Sequence, residues 1–168
     1  MRELTSAWAA LAGAAVGLSA LAGCDASPIA RLQVGVSTEA DMRRALGEPA
    51  AVYDAPEGAR EFEYPRQPEG HENWFVTVGA DGLVREIRQA LAPATFARVV
   101  PGLDKAEVRR LLGRPARTTF YDLKREEVWD WRHGDAATPL FFSVTFDADG
   151  RVVASGSGPD PRREHVGL

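Results

Sequence analysis

The chain is 168 residues long, and its 20 lysines and arginines against 24 aspartates and glutamates leave a formal net charge of −4. Acids and bases are interleaved with no basic stripe, which argues against nucleic acid and anionic lipid surfaces as partners. A single cysteine, Cys24, excludes an internal disulfide and any Cys-pair metal or redox site.

The N-terminus reads as a leader. Met1 and Arg2 give a weakly positive start, and Ala7 to Ala20 is apolar or small throughout apart from Ser19. Such a run is a secretory h-region, too short and too rich in Ala and Gly for a comfortable membrane span. It ends in LAGC, Leu21 to Cys24, which looks like a bacterial lipobox: the peptide is cut before Cys24, and the cysteine is acylated on sulfur and on its new amine. The alternative is an ordinary signal peptide with a chance cysteine. Acyl chains at about 0.8 kcal/mol per buried methylene anchor a protein stably once two or more are present. Acylation also removes the thiol as a nucleophile. Residues 1–23 are thus a lipoprotein signal peptide and 24–31 a lipidated linker. Asp25 resembles the signal that keeps lipoproteins in the inner membrane of enteric bacteria. The outer membrane is the expected location, with the inner membrane as its alternative.

The remainder writes one unit twice. The first copy, 32–92, opens on an extended lead-in to Gly35 and continues as GVSTEADMRRALGEPA, Gly35 to Ala50. Ser37 or Thr38 can cap a helix whose apolar stripe is Met42, Ala45 and Leu46. Gly47 suits the left-handed residue that ends it, and Pro49 forbids its resumption. A helix of about ten residues is marginal alone, so it must lie on a sheet. REFEYP supplies one strand, with Phe62 and Tyr64 on one side and Glu61 and Glu63 on the other. WFVTVGADGLV supplies the next, with Trp74, Val76 and Val78 on one face and Asp81-Gly82 as a hairpin turn.

The second copy, 93–154, repeats the pattern about 66 residues later as GLDKAEVRRLLGRPA, Gly102 to Ala116. Asp104 and Glu107 form a capping-box pair, Val108, Leu111 and Leu112 the stripe, and Gly113 and Pro115 the stop. EEVWDWR places Trp129 and Trp131 on one side. FFSVTFDADGRVV aligns Phe142, Val144 and Phe146 and turns at Asp149-Gly150. The expected fold class is α+β: two tandem small modules, each a short helix packed on an antiparallel meander of about three strands. A unit of about 60 residues is marginally stable alone, so the two are expected to share a larger core. The stretch 155–168, SGSGPDPRREHVGL, has little to bury and reads as a disordered tail.

The order of these elements, glycine, helix, Leu-Gly-x-Pro, aromatic strand, Val-Thr-Val/Phe and Asp-Gly behind a lipobox, resembles the BamE (SmpA/OmlA) lipoproteins. RLQVGVSTEADMRRALGEPA and YPRQPEGHENWFVTV carry the likeness most closely, and it covers nearly all of Leu32 to Ala154. It implies an accessory role in the outer-membrane β-barrel assembly machinery. The double copy departs from the single-domain pattern and is closer to tandem modules like those of the β-lactamase inhibitor proteins, whose paired sheets make a concave protein-binding face.

Catalytic chemistry is not evident. His71, His133 and His165 are scattered without zinc-like spacing, and DADG at Asp147 to Gly150 lacks the further oxygen ligands of a calcium loop. Glu61 and Glu63 would need desolvation to act as acid or base, and a wet sheet face is expected instead. Ser37 and Ser143 have no His-Asp pair beside them. Trp129 and Trp131, at strand spacing, are expected in the core rather than in a ligand platform. No catalytic residue, cofactor or metal is expected. The segment RQPEGHEN is longer than a hairpin requires and carries polar groups beside Trp74, so Arg66, His71 and Trp74 are the expected partner-binding residues. The outward sheet face around Glu61, Glu63, Asp130 and Arg132 is the alternative surface. The expected function is a periplasm-facing lipoprotein that binds protein, as an accessory or scaffold factor in outer-membrane assembly or envelope integrity. The alternatives are an inhibitor-like module on a periplasmic enzyme, and a small-ligand-binding or hydrolytic lipoprotein.

Overall fold

The computed structural model describes residues 27–134 and 137–159; the leader, Cys24, Asp25, His165 and the end of the tail lie outside the described residues. Helix α1 (Glu39–Leu46) starts at Thr38, whose hydroxyl accepts from the Asp41 N–H at 3.2 Å while the Asp41 carboxylate accepts from the Thr38 N–H at 3.0 Å. Helix α2 (Pro93–Phe96) is a single turn. Helix α3 (Lys105–Leu112) repeats the capping box with Asp104 and Glu107, at 2.8 and 2.7 Å. These reciprocal bonds satisfy amides that a helix start would otherwise leave unpaired. Both long helices end at a glycine of positive φ, Gly47 at 83° and Gly113 at 76°.

Each module has a four-stranded antiparallel meander: β1 (Ala51–Asp54), β2 (Arg60–Pro65), β3 (Asn73–Val78) and β4 (Val84–Gln89), then β5 (Arg117–Tyr121), β6 (Glu126–Gly134), β7 (Pro139–Phe146) and β8 (Val152–Pro159). The fourth strand of each sheet, β1 or β5, goes beyond the three expected. Both are short edge strands with no buried residue, so hydrophobic alternation barely marks them. Strand β8 also corrects the tail: residues 155–159 pair with β7, Ser157 opposite Phe142, because the ladder bonds through the backbone whatever the side chains are. The linker is corrected too. Pro28–Arg31 forms a 3-10 turn that buries Ile29 in the first core.

Each helix covers the inner face of its own sheet. Met42 packs with Phe62, Tyr64, Val76, Val78 and Val84 in the first core. Val108 and Leu112 pack with Trp131, Phe142, Val144 and Phe146 in the second, with Trp129 partly buried against them. The tryptophans are thus core, and the Trp131 indole N–H donates to the Gly113 carbonyl at 2.9 Å.

The outer face of the first sheet is not wet. The C-terminal end of α3 lies on it, which corrects the expectation for Glu61 and Glu63. Glu63 is 0% exposed. It accepts from Arg109 Nη2 at 3.0 and 3.1 Å, from the Arg114 N–H at 2.6 Å and from the Tyr53 hydroxyl at 3.0 Å. Arg88 reaches the Leu111 carbonyl at 3.0 Å, and Asn73 Nδ2 donates to the carbonyls of Leu112 at 2.7 Å and Arg114 at 3.0 Å. Helix-end carbonyls carry partial negative charge and lack intrahelical partners, so a guanidinium and an amide are the groups that suit them. Gly113 is required twice over. Its φ is left-handed, and an added Cβ would come within 3.0 Å of Asn73 Nδ2 and 3.2 Å of Glu63 Oε1. Gly47 has the same backbone with nothing within 4 Å.

Candidate functional site

The RQPEGHEN segment divides its polar groups between two tasks. Gln67 and Asn73 are buried and hold the modules together. Gln67 bonds reciprocally with the Arg132 main chain, donating to its carbonyl at 2.8 Å and accepting from its N–H at 3.2 Å. The remaining residues face outward. Arg66 is exposed, and His71 and Trp74 are half-buried.

These three come together at one end of the first module. Ile29, Leu46, Tyr64 and Trp74 bound a cavity of about 200 Å³, with Arg66 and Glu48 at its rim. Arg66 also borders an open groove shared with Ser27, Pro28, His71, Glu72 and Gly134. Trp74 is held by its indole N–H on Glu72 Oε2 at 3.0 Å. Tyr64 donates to the Gly47 carbonyl at 3.2 Å, and burial pushes its pKa up to about 12, so it stays a neutral donor. The rim is charged on both sides: Glu48 pairs with Arg43, while Arg66 has no side-chain partner among the described residues. Of the expected partner-binding residues, Arg66 and Trp74 border the cavity and Arg66 and His71 the groove; Leu46 and Tyr64 stand in the sequence only as apolar residues of a helix and a strand, and Ile29 only as part of the linker.

The alternative outward face presents few available groups. Glu61 pairs with Arg88 at 3.1 Å and Arg110 at 3.4 Å. Asp130 is 4% exposed and accepts from Arg117 at 2.7 Å and Ser143 at 2.6 Å. Arg132 is buried and donates to the Pro68 carbonyl at 2.5 Å. On the first sheet this outward face is covered around Glu63, Asn73 and Arg88 by the end of α3. A second apolar surface escaped the sequence reading: at the β5–β6 hairpin Phe120, Tyr121 and Leu123 stand exposed, Leu123 completely. Among the described residues no group of three or more metal-ligating side chains converges, and no helix is long and apolar enough to cross a membrane.

No protein-family model matches this chain, and no curated protein matches it in sequence. Among solved structures, a chain described as an osmotically inducible lipoprotein, OsmE, is similar over 42% of this chain and 68% of its own, with 24% identity and a TM-score of 0.34. A DUF4309 family protein, YjgB, from Bacillus subtilis subsp. subtilis strain 168 is similar over 77% of this chain and 83% of its own, with 17% identity and a TM-score of 0.31. Overlaps of this extent assign neither a shared fold nor a function. The BamE likeness rests on the sequence motifs alone.

Proposed function

We propose that this chain is a periplasm-facing lipoprotein, anchored through acylated Cys24, that works by binding protein rather than by catalysis. Its finer role is that of an accessory or scaffold factor in outer-membrane β-barrel assembly or envelope integrity, on the strength of the BamE-like motifs between Leu32 and Ala154. The observation that carries the reading is the cavity and groove that share Arg66. They pair an apolar floor with a charged rim, the composition of a docking surface. Ser27, at the groove, is three residues after Cys24, at most about 11 Å of extended chain, so on this reading the groove lies close to the lipid anchor. The non-catalytic reading is supported by Glu63, the most deeply buried carboxylate among the described residues, whose oxygens are both engaged.

A second reading has its own observation. An inhibitor-like module needs an apolar surface to set against its enzyme, and Phe120, Tyr121 and Leu123 are exposed together at the β5–β6 hairpin. Co-purification of the cross-linked chain from membranes tests both. Capture of barrel-assembly subunits, reduced about tenfold by Arg66→Ala with His71→Ala while circular dichroism and melting stay unchanged, is the expected result. Capture of a soluble enzyme, lost on Leu123→Ser instead, would move the function to the second reading.

A further inference from the structure

The cavity has a counterpart in the second module, and the counterpart is full. Tyr64 and Trp131 are equivalent: each ring donates to the carbonyl of the helix-ending glycine, Gly47 or Gly113. Trp74 stands opposite Tyr64 in its ladder, as Phe142 stands opposite Trp131. Ile29 and Phe96 are equivalent as well. Each offers its carbonyl to the N–H three residues on, at Leu32 and Val99, and both of those are buried in their respective cores. Arg66 follows Tyr64 by two residues, as His133 follows Trp131. In the second module the Phe96 ring lies on Phe142, centroids 4.1 Å apart and planes 9° from parallel, and meets the His133 ring edge to face at 4.8 Å. In the first module Ile29 brings no ring, and the space beside Trp74 stays open.

We infer that this cavity receives an aromatic side chain from a protein partner, stacked on Trp74 as Phe96 is stacked on Phe142, with the Arg66 guanidinium in the place of His133. The inference rests on the protein-binding reading for what bears the ring. Size agrees: an apolar cavity of about 150 Å³ holds a benzene, and this one is about 200 Å³. Chemistry agrees too. Trp74 offers an electron-rich face, and Arg66, unpaired among the described residues, can cover the far face of a bound ring. An aliphatic side chain would fill the volume and gain neither contact.

The chain's own repeat supplies the test, since Ile29→Phe should plug the cavity from within. The full chain, purified from membranes in detergent and labelled with fluorotryptophan, is titrated with N-acetyl-phenylalaninamide. The Trp74 fluorine signal, assigned by its loss in Trp74→Phe, is followed. A saturable shift is expected, at least about tenfold weaker with N-acetyl-alaninamide, clearly weaker with N-acetyl-leucinamide, and abolished in Ile29→Phe. No shift, an equal response to the leucine amide, or a response unchanged in Ile29→Phe would overturn the inference. If Ile29→Phe melts lower than the parent chain, Leu46→Trp plugs the same space from the helix side and carries the same test. Capture from membranes then separates the two claims. A partner held equally by the parent and by the plugged variant removes the aromatic inference and leaves the protein-binding reading. Amide binding at Trp74 with no partner captured removes the protein-binding reading and leaves the preference for a ring.

Discussion

His133 occupies in the second module the position of Arg66 in the first, and the exchange has consequences for stability. Burial pushes its pKa below the ordinary 6.5; a hydrogen bond with the Phe141 backbone opposes this, and the nearby His71 adds to it. The folded chain therefore holds this proton less readily than the unfolded chain. The stability associated with His133 is complete above pH 6.5 and is lost as pH falls through the depressed folded value. The melting midpoint of the parent chain should drop between neutral pH and mildly acid pH, and His133→Phe, which keeps a ring against Phe96, should flatten that drop. A slope unchanged by the substitution would mean that other groups set it.

Helices α1 and α3 share their caps, their Arg-Arg pair and their Leu-Gly ending, yet their last leucines have different surroundings. Leu112 is 0% exposed beneath the second sheet. Leu112→Ala should cost about 2–5 kcal/mol, the range for a buried leucine whose site cannot collapse. Leu46, equivalent by sequence, is only partly buried and lines the open cavity. Truncating it enlarges a space that already exists, so Leu46→Ala should shift the denaturant midpoint less. Equal losses would make Leu46 an ordinary core residue and the cavity closed in solution. The capping boxes that start these helices, and the Asp81-Gly82 and Asp149-Gly150 turns between strands, are legible in sequence because each is settled within four residues of chain.

The two modules form one body because the end of α3 is bonded to the outer face of the first sheet through Glu63, Asn73 and Arg88. Such a joint couples their unfolding, so calorimetry should show a single transition whose calorimetric and van't Hoff enthalpies agree. Glu63→Ala removes the acceptor shared by Arg109, the Arg114 N–H and Tyr53. It should cost about 3 kcal/mol, the low end for breaking a buried ion pair, because the Arg109 side chain is 31% exposed and can rehydrate. Separate melting of the parent modules would show that the joint does not couple them.

The α+β class, the duplication and the helix and strand stripes at the centre of each core are local matters of hydrophobic period, caps and turn pairs, which a chain read in windows of ten or so residues carries; Ile29 and Val99, and the division into two cores, are not among them. Glu63 shows where such reading stops. Its alternation with Phe62 and Tyr64 correctly places it opposite the first core, but only the docking of α3 decides that this opposite face is buried. Strands β1 and β5 and the Gly/Ser strand β8 are likewise fixed by ladder bonds to neighbours, which depend on backbone groups common to every residue. The cavity is the clearest case. Ile29 and Phe96 are both simply apolar in sequence, and the space that one fills and the other leaves exists only once helix, sheet and the leading 3-10 turn are packed together, since a void belongs to the atoms around it and to no segment of the chain.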